Sequence, residues 1–209
     1  MVVGPLRTNC YLVFCNQTRK TVIIDPGDDG DFIARRILDL DLKPRIVLAT
    51  HGHFDHILAA TELQLNFDIP FFLHERDLFL LKRLRSTAKH FLGYDAYPEG
   101  IQGPTVDRFF KEGEVIKFGR ESLKVIETPG HTPGGTSFFG DNRLFTGDTI
   151  FRKGIGRTDF SYASLKELIE SLEKLSKLPD ESRIYPGHGF ETVLSAEKDF
   201  LSLRKLNRF

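Results

Sequence analysis

Cysteine is scarce in this sequence: Cys10 and Cys15 are the two found in 209 residues, and both lie in the apolar stretch NCYLVFC. That count excludes a disulfide-dense secreted scaffold, and the spacing is not that of a paired zinc knuckle, so both are expected as buried reduced thiols. Net charge is missing as well. The 29 Lys and Arg balance 29 Asp and Glu, which leaves no global field to draw in nucleic acid or an anionic membrane. No uncharged apolar run approaches the roughly 18 residues that span a bilayer, and MVVGPLRTN lacks an apolar stretch followed by a small-residue cleavage site. The chain is therefore expected to be soluble and cytoplasmic, with neither nucleic acid nor membrane as a partner. It has no Pro/Ser-rich linker and no low-complexity tract. With 40% hydrophobic content and 19 Phe for a core, residues 1–209 are expected to form one domain.

What is present alternates strand-like and helix-like segments. CYLVF and TVIID read as a hairpin that stops at the turn signal PGDDG. Asp31 is placed to cap a helix running to about Leu40, with Phe32, Ile33, Arg36, Ile37 and Leu40 at helical spacing. RIVLAT reads as a short buried strand ending on HGHFDH. DHILAATELQLNF then looks helical, IPFFL like a strand and ERDLFLLKRL like an amphipathic helix. Residues 86–105 show no clear period and read as a long irregular excursion. In the second half EVIKF and SLKVIE flank Gly119 and Arg120, and TSFFG and RLFTG flank Asp141 and Asn142. A helix follows from about Tyr162 to Leu178, then strand RIY and a closing helix from about Ser195. Two similar halves of hairpins and crossover helices imply two facing sheets with helices outside, a four-layer αββα arrangement of mixed α/β class.

The chemistry concentrates in His51-Gly52-His53-Phe54-Asp55-His56, directly after a strand. In extended chain residues two apart point the same way, so His51 and His53 can share one ion, while the turn into a helix aims Asp55 and His56 elsewhere. Two adjacent metal sites follow. Imidazole and carboxylate together suit Zn, Fe or Mn rather than Ca or Mg cages. His131 in TPGHTPGG, Asp148 in FTGDT and His188 in YPGHG stand at equivalent points, each after a strand and beside glycines that permit sharp turns. His74 and His90 fall outside these contexts and read as structural.

These motifs resemble the metallo-β-lactamase superfamily, and THGHFDH, TPGHTPGGTSFF, LFTGDTIF and PGHG look most like glyoxalase II and its small single-domain relatives. The resemblance implies the αββα sandwich with a metal site at the sheet edges. It implies two divalent transition-metal ions, zinc first and iron or manganese as alternatives. One would be held by His51, His53 and His131 and the other by Asp55, His56 and His188, with Asp148 bridging. Asp25 in IIDPG matches an aspartate that supports the ligands from behind. The implied activity is thioester hydrolysis, for example of S-lactoylglutathione. A water between the two ions loses its proton near neutral pH and attacks the carbonyl carbon, oriented by Asp55.

Full-length glyoxalase II carries a separate C-terminal helical region that supplies basic residues to glutathione. Here His188 lies close to the chain end, and the remaining SLRKLNR reads as a solvated helix face. In FRKGIGRTDF, which also resembles persulfide dioxygenases, Arg157 is the candidate for a substrate carboxylate, or else for an internal pair with Asp159. The competing activities are a mononuclear iron dioxygenase on His51, His131 and Asp148, a phosphodiesterase of the ribonuclease Z kind, and a non-catalytic metal-binding module. PGHGFET after the last strand favours the hydrolase.

Overall fold

Successive residues of a strand face opposite sides of its sheet, and in two short strands of this protein both sides are apolar. In Lys20–Ile24, Val22 and Ile24 join one buried cluster and Ile23 another. In Lys43–Leu48, Ile46 and Leu48 join the first of these and Val47 the second. Strands buried on both faces need cover on both. The computed structural model, which describes residues 1–97, 100, 101 and 103–201, shows what supplies it.

In chain order, β1 (Val2–Val3) and β2 (Thr8–Asn9) form a small antiparallel ribbon. A five-stranded sheet follows, ordered β3 (Tyr11–Phe14), β4 (Lys20–Ile24), β5 (Lys43–Leu48), β6 (Phe71–Leu73) and β7 (Arg108–Phe109); β3 runs antiparallel to β4 and the others are parallel. Helix α1 (Gly30–Asp39) joins β4 to β5, and α2 (Phe54–Ile57) and α3 (Ala60–Phe67) join β5 to β6. Between β6 and β7 lie α4 (Leu78–Lys82) and α5 (Leu84–Leu92). A meander of β8 (Val115–Phe118), β9 (Glu121–Glu127), β10 (Thr136–Gly140) and β11 (Arg143–Gly147) begins the second sheet. After a ribbon of β12 (Ile150–Phe151) and β13 (Gly154–Ile155), helix α6 (Leu165–Leu175) crosses over to β14 (Arg183–Pro186), which pairs parallel to β11. The edge strand β15 (Thr192–Val193) and helix α7 (Leu194–Leu201) follow.

Three clusters of buried side chains define the layers. Val22, Leu48, Val125, Phe138 and Phe145 fill the space between the sheets. Ile23 and Val47 pack with Ile33, Ile37, Ile57 and Leu63 from the helices of the first half. Ile126, Leu144 and Ile184 pack with Leu168, Leu172 and Leu175 of α6. Helix, sheet, sheet and helix form the expected αββα stack. Both cysteines are buried and unpaired, and no helix of the described residues is long and apolar enough to cross a membrane.

Five local expectations need correction. Asp31 does not cap α1: the helix starts at Gly30, after Asp29 in left-handed conformation, and Asp31 sits in the first turn, where its charge suits the helix dipole. Of the residues read at helical spacing there, Ile33 and Ile37 are buried, whereas Phe32 and Arg36 stay exposed. The run DHILAATELQLNF is two helices, interrupted where the Ala59 amide donates to the Pro26 carbonyl. Residues 86–105 are not wholly irregular. Through Leu92 they belong to α5, which buries Leu84 and Ala88 and ends at Gly93 with φ of 80°; two small buried contacts four residues apart are too sparse a stripe to read. Helix α6 begins at Leu165 rather than near Tyr162. SLRKLNR lies outside the described residues.

Ser164 caps α6, its hydroxyl accepting from the Glu167 amide at 3.2 Å. Removing such a cap costs about 1 kcal/mol. Ser164→Ala is expected to lower Tm by roughly 2–4 °C in a chain of this size, measured by calorimetry on metal-loaded protein; an unchanged Tm would deny the cap any energetic role.

Candidate metal centre

Every sequence-assigned ligand, and the supporting Asp25, sits just beyond the C-terminal end of a strand. Asp25 follows β4, His51 to His56 follow β5, His131 follows β9, Asp148 follows β11 and His188 follows β14. β4 and β5 are parallel neighbours, as are β11 and β14, so their ends open side by side, the usual crevice for a site in parallel sheets. Backbone bonds knit this edge together: Thr136 N–H of the second sheet donates to Thr50 O beyond β5 at 2.8 Å, and Asn9 N–H of the β1–β2 ribbon to Gly187 O at 2.7 Å.

The side chains converge in three overlapping groups, His51 with His53 and His131, His51 with His56 and Asp148, and Asp55 with His56 and His188; within each, ligand atoms lie within 4.8 Å of one another. His53 Nδ1 is 3.0 Å from both His51 Nε2 and His131 Nε2. His56 Nε2 is 3.3 Å from His188 Nε2, and His188 Nε2 is 3.3 Å from Asp55 Oδ2. Asp148 stands between the groups. Its Oδ2 lies 3.6 Å from His131 Nε2, and its Oδ1 lies 3.5 Å from His56 Nε2 and 3.7 Å from His188 Nε2.

The opposite nitrogens are anchored. His56 Nδ1–H donates to Asp25 Oδ2 at 3.0 Å. Thr50 Oγ1–H donates to the same oxygen at 2.7 Å, so that hydroxyl is left to accept from His51 Nδ1–H at 3.1 Å. His131 Nδ1–H donates to the Arg157 carbonyl at 2.8 Å. His53 Nε2 lies 2.8 Å from the Tyr162 hydroxyl, which fixes its proton there once Nδ1 faces the cluster. Each of these tautomers leaves a lone pair pointing inward. Asp25 is buried and has φ of 52°, so it both makes the turn into PGDD and reaches back to the ligands.

Electrostatics set two kinds of environment. Burial, reinforced by the other imidazoles, holds His51 well below its ordinary pKa; burial and then His131 bring His53 down to about 3. Burial also opposes charge on His56, but Asp55, Asp25 and Asp148 outweigh it and raise that pKa to about 10. Asp55 is lowered in turn: burial would raise it, and His56 and His188 overcome that. One half of the site rejects protons and the other demands positive charge.

A pair of cations fits both demands. Neutral imidazoles whose lone pairs meet at 3.0 Å repel unless something positive lies between them, and buried Asp148 Oδ1 has no hydrogen-bond partner in the protein. Imidazole nitrogen with carboxylate oxygen is a donor set for zinc, iron or manganese. Glycine at 187 is required for the close approach: a Cβ there would collide with Asp148 Oδ1 and lie 2.8 Å from His56 Cε1.

The family model for the metallo-beta-lactamase superfamily matches residues 3–188. The chain belongs to that superfamily. It is 37% identical over 201 residues to the hydroxyacylglutathione hydrolase GloC of Haemophilus influenzae, covering 94% of this chain and 92% of the relative. Among solved structures it is similar to TTHA1623 in a di-iron-bound form, with TM-score 0.85 and 36% identity over 95% of this chain and 96% of that one. The B3 metallo-beta-lactamase BLEG-1 gives TM-score 0.85 and 30% identity over 96% of this chain and 97% of that one.

Sequence reasoning missed Asp77. Its carboxylate is fully buried and accepts from Gly52 N–H at 2.9 Å, Thr132 Oγ1–H at 2.8 Å and Gly134 N–H at 2.6 Å. It thereby ties the HGHFDH loop to the TPGHTPGG loop. In ERDLF nothing distinguishes it from a solvated helix residue. Arg157 is placed beside the site, but both of its fork nitrogens contact Asp159 at 2.6 Å and its guanidinium lies 4.4 Å from the centre of the Phe160 ring. His74 is structural, accepting from Arg76 N–H and pairing with Glu127 at 3.1 Å, and His90 is exposed outside the cluster.

Asp148 lies in the middle group and faces His131 of the first and His188 of the third, whereas His188 serves one group. Asp148→Ala is therefore expected to drop bound metal from about two ions per chain to below one, and His188→Ala to about one, by elemental analysis after zinc or iron loading. Equal, small losses would show that Asp148 does not bridge.

Proposed function

We propose that the protein is a metal-dependent hydrolase that cleaves a thioester to a carboxylic acid and a thiol, consuming one water. The observation that carries this reading is the meeting of the two ligand groups at Asp148 beneath a cavity of about 260 Å³, which opens onto His53, Asp55, His131, Asp148 and His188. The relative GloC, named as a hydroxyacylglutathione hydrolase, supports the reaction class. Bound divalent ions would supply a water acidified to near neutral pH and an electrophile for the carbonyl oxygen.

The protein's own groups do the positioning. Asp55 Oδ2, held by Thr8 Oγ1–H at 3.3 Å, orients the attacking water. Asp25 fixes His56 directly and His51 through Thr50, keeping both rings in the tautomer that can bind a cation. A thiolate leaves without a dedicated acid, so the absence of a further proton donor in this assignment costs little. A mononuclear dioxygenase on His51, His131 and Asp148 would leave Asp55, His56 and His188 without a task, although they come together as a group of their own.

The test is turnover of S-lactoylglutathione and other thioesters by the loaded protein. Activity abolished by a chelator and restored by zinc, iron or manganese is the expected result; oxygen consumption with glutathione persulfide and no thioester cleavage would overturn the reading. Arg157 belongs to the same test. With its fork on Asp159 and its carbonyl on His131, it is expected to act by holding the loop, so Arg157→Ala should lower kcat and metal retention with little change in KM. A raised KM at unchanged kcat would instead assign it to a substrate carboxylate.

A further inference from the structure

The cavity over the metal centre has walls for which the hydrolytic chemistry has no use. Two stacked aromatic pairs line it. Phe54 and Phe91 have ring centres 5.6 Å apart with planes at 20°, and Phe160 and Tyr162 have centres 5.3 Å apart with planes at 13°. Leu6 completes the apolar lining. Phe91 is 57% exposed and Leu6 43% exposed, a cost in apolar hydration that single scattered surface residues also bear, but here both sit on one cavity. The second stack is itself held in place: Phe79 meets Tyr162 edge-on at 5.2 Å, and His53 meets Phe160 edge-on at 5.2 Å. These rings are fixed relative to the ligands, so whatever they contact is positioned against the metals.

Charge is the other half of the observation. Apart from the candidate ligands, Arg157 is the one cationic side chain among the described residues lining the cavity, and its guanidinium is already forked onto Asp159. A carrier bearing several carboxylates finds no uncommitted cation there. Size points the same way. A cavity of about 260 Å³ lies below the range of roughly 300–1,000 Å³ that encloses a whole drug-sized ligand, so it takes one part of the substrate and leaves the rest in solvent.

We infer that the part of the substrate entering this cavity is an aromatic or branched aliphatic group attached to the thioester, held by Phe91, Phe54, Phe160, Tyr162 and Leu6. This rests on the thioester reading and names the substrate class for the same site. The group is carried on the acyl side or the thiol side, and the two are separated by experiment. Apolar contacts of this kind distinguish substrates by about tenfold or more.

The experiment compares kcat/KM of the metal-loaded protein for three compounds: S-lactoylglutathione, the phenylacetyl thioester of N-acetylcysteamine, and the acetyl thioester of benzyl mercaptan. At least one of the last two is expected to exceed S-lactoylglutathione by about tenfold, and the faster of them identifies the side. Phe91→Ser, at an exposed position, is expected to cut that ratio by about tenfold. Preference for S-lactoylglutathione, or a ratio unmoved by Phe91→Ser, would overturn the inference. If no thioester is cleaved, the hydrolase reading fails, and binding decides the rest by calorimetry with S-benzyl-N-acetylcysteamine, a thioether that cannot be hydrolysed. Binding weakened by Phe91→Ser retains the apolar walls as a ligand site; no binding, or equal binding by both proteins, removes them.

Discussion

Imidazole lone pairs brought to within 3.0 Å of one another, beside a buried carboxylate oxygen with no partner, are tolerable only around positive charge. Much else in the structure serves to hold that unfavourable arrangement in place. Asp25 engages His56 and Thr50, Thr50 engages His51, the Arg157 carbonyl engages His131, and the Tyr162 hydroxyl engages His53. Asp77 then locks two of the ligand loops together with three donated hydrogen bonds. Asp25, Thr50 and Asp77 are themselves buried, while Tyr162 is half-buried and Arg157 acts through its backbone carbonyl, so most of the ligand geometry is set by the protein itself.

The four-layer stack explains how so many anchors meet. A strand buried on both faces cannot shift by one residue without exchanging its two apolar faces, which fixes where β4, β5 and β11 end, while β9 is held by its register against β10. Their carboxyl ends then deliver Asp25, His51, His131 and Asp148 to one edge. Glycines at that edge permit contacts no other residue would allow, among them Gly187 against Asp148 and His56. The core thus does more than stabilise: it sets the register from which the metal centre is assembled.

How much of this was legible in the sequence follows from how local each signal is. HGHFDH declares itself because ligand-type residues crowd six positions, and His131, Asp148 and His188 share with it a strand before and glycines beside. The hairpins at Gly119 and at Asp141–Asn142 were legible for the same reason, the latter pair having φ of 49° and 54° as a tight turn requires. The anchors were not. Asp77 acts on Gly134 across 57 residues and Tyr162 on His53 across 109, and no periodicity links such positions. The start of α1 was misplaced because the helix follows a left-handed Asp29 that makes no side-chain cap, so the usual capping signal is absent there.

The division between ligands and walls has a further consequence. The ligands come from strand ends that the core fixes, whereas the walls come from the β1–β2 connection, Phe54 at the start of helix α2, helix α5 and the segment around Phe160, all outside the sheets. Leu84 and Ala88 of α5 are buried while Phe91, on the same helix, reaches the cavity. A change at Phe91 or Leu6 therefore alters what the cavity admits without removing a ligand or a side chain of the sheets, and its one tie to the ligand loop is the stack of Phe91 on Phe54, between His53 and Asp55. A change at Phe160 or Tyr162 does not enjoy that freedom, since Tyr162 also holds His53. If these walls select the substrate, selectivity is separable from metal binding at Phe91 and Leu6 and coupled to it at Phe54, Phe160 and Tyr162, so substitutions at Phe91 and Leu6 are the ones by which preference would shift while the ligand set stays intact.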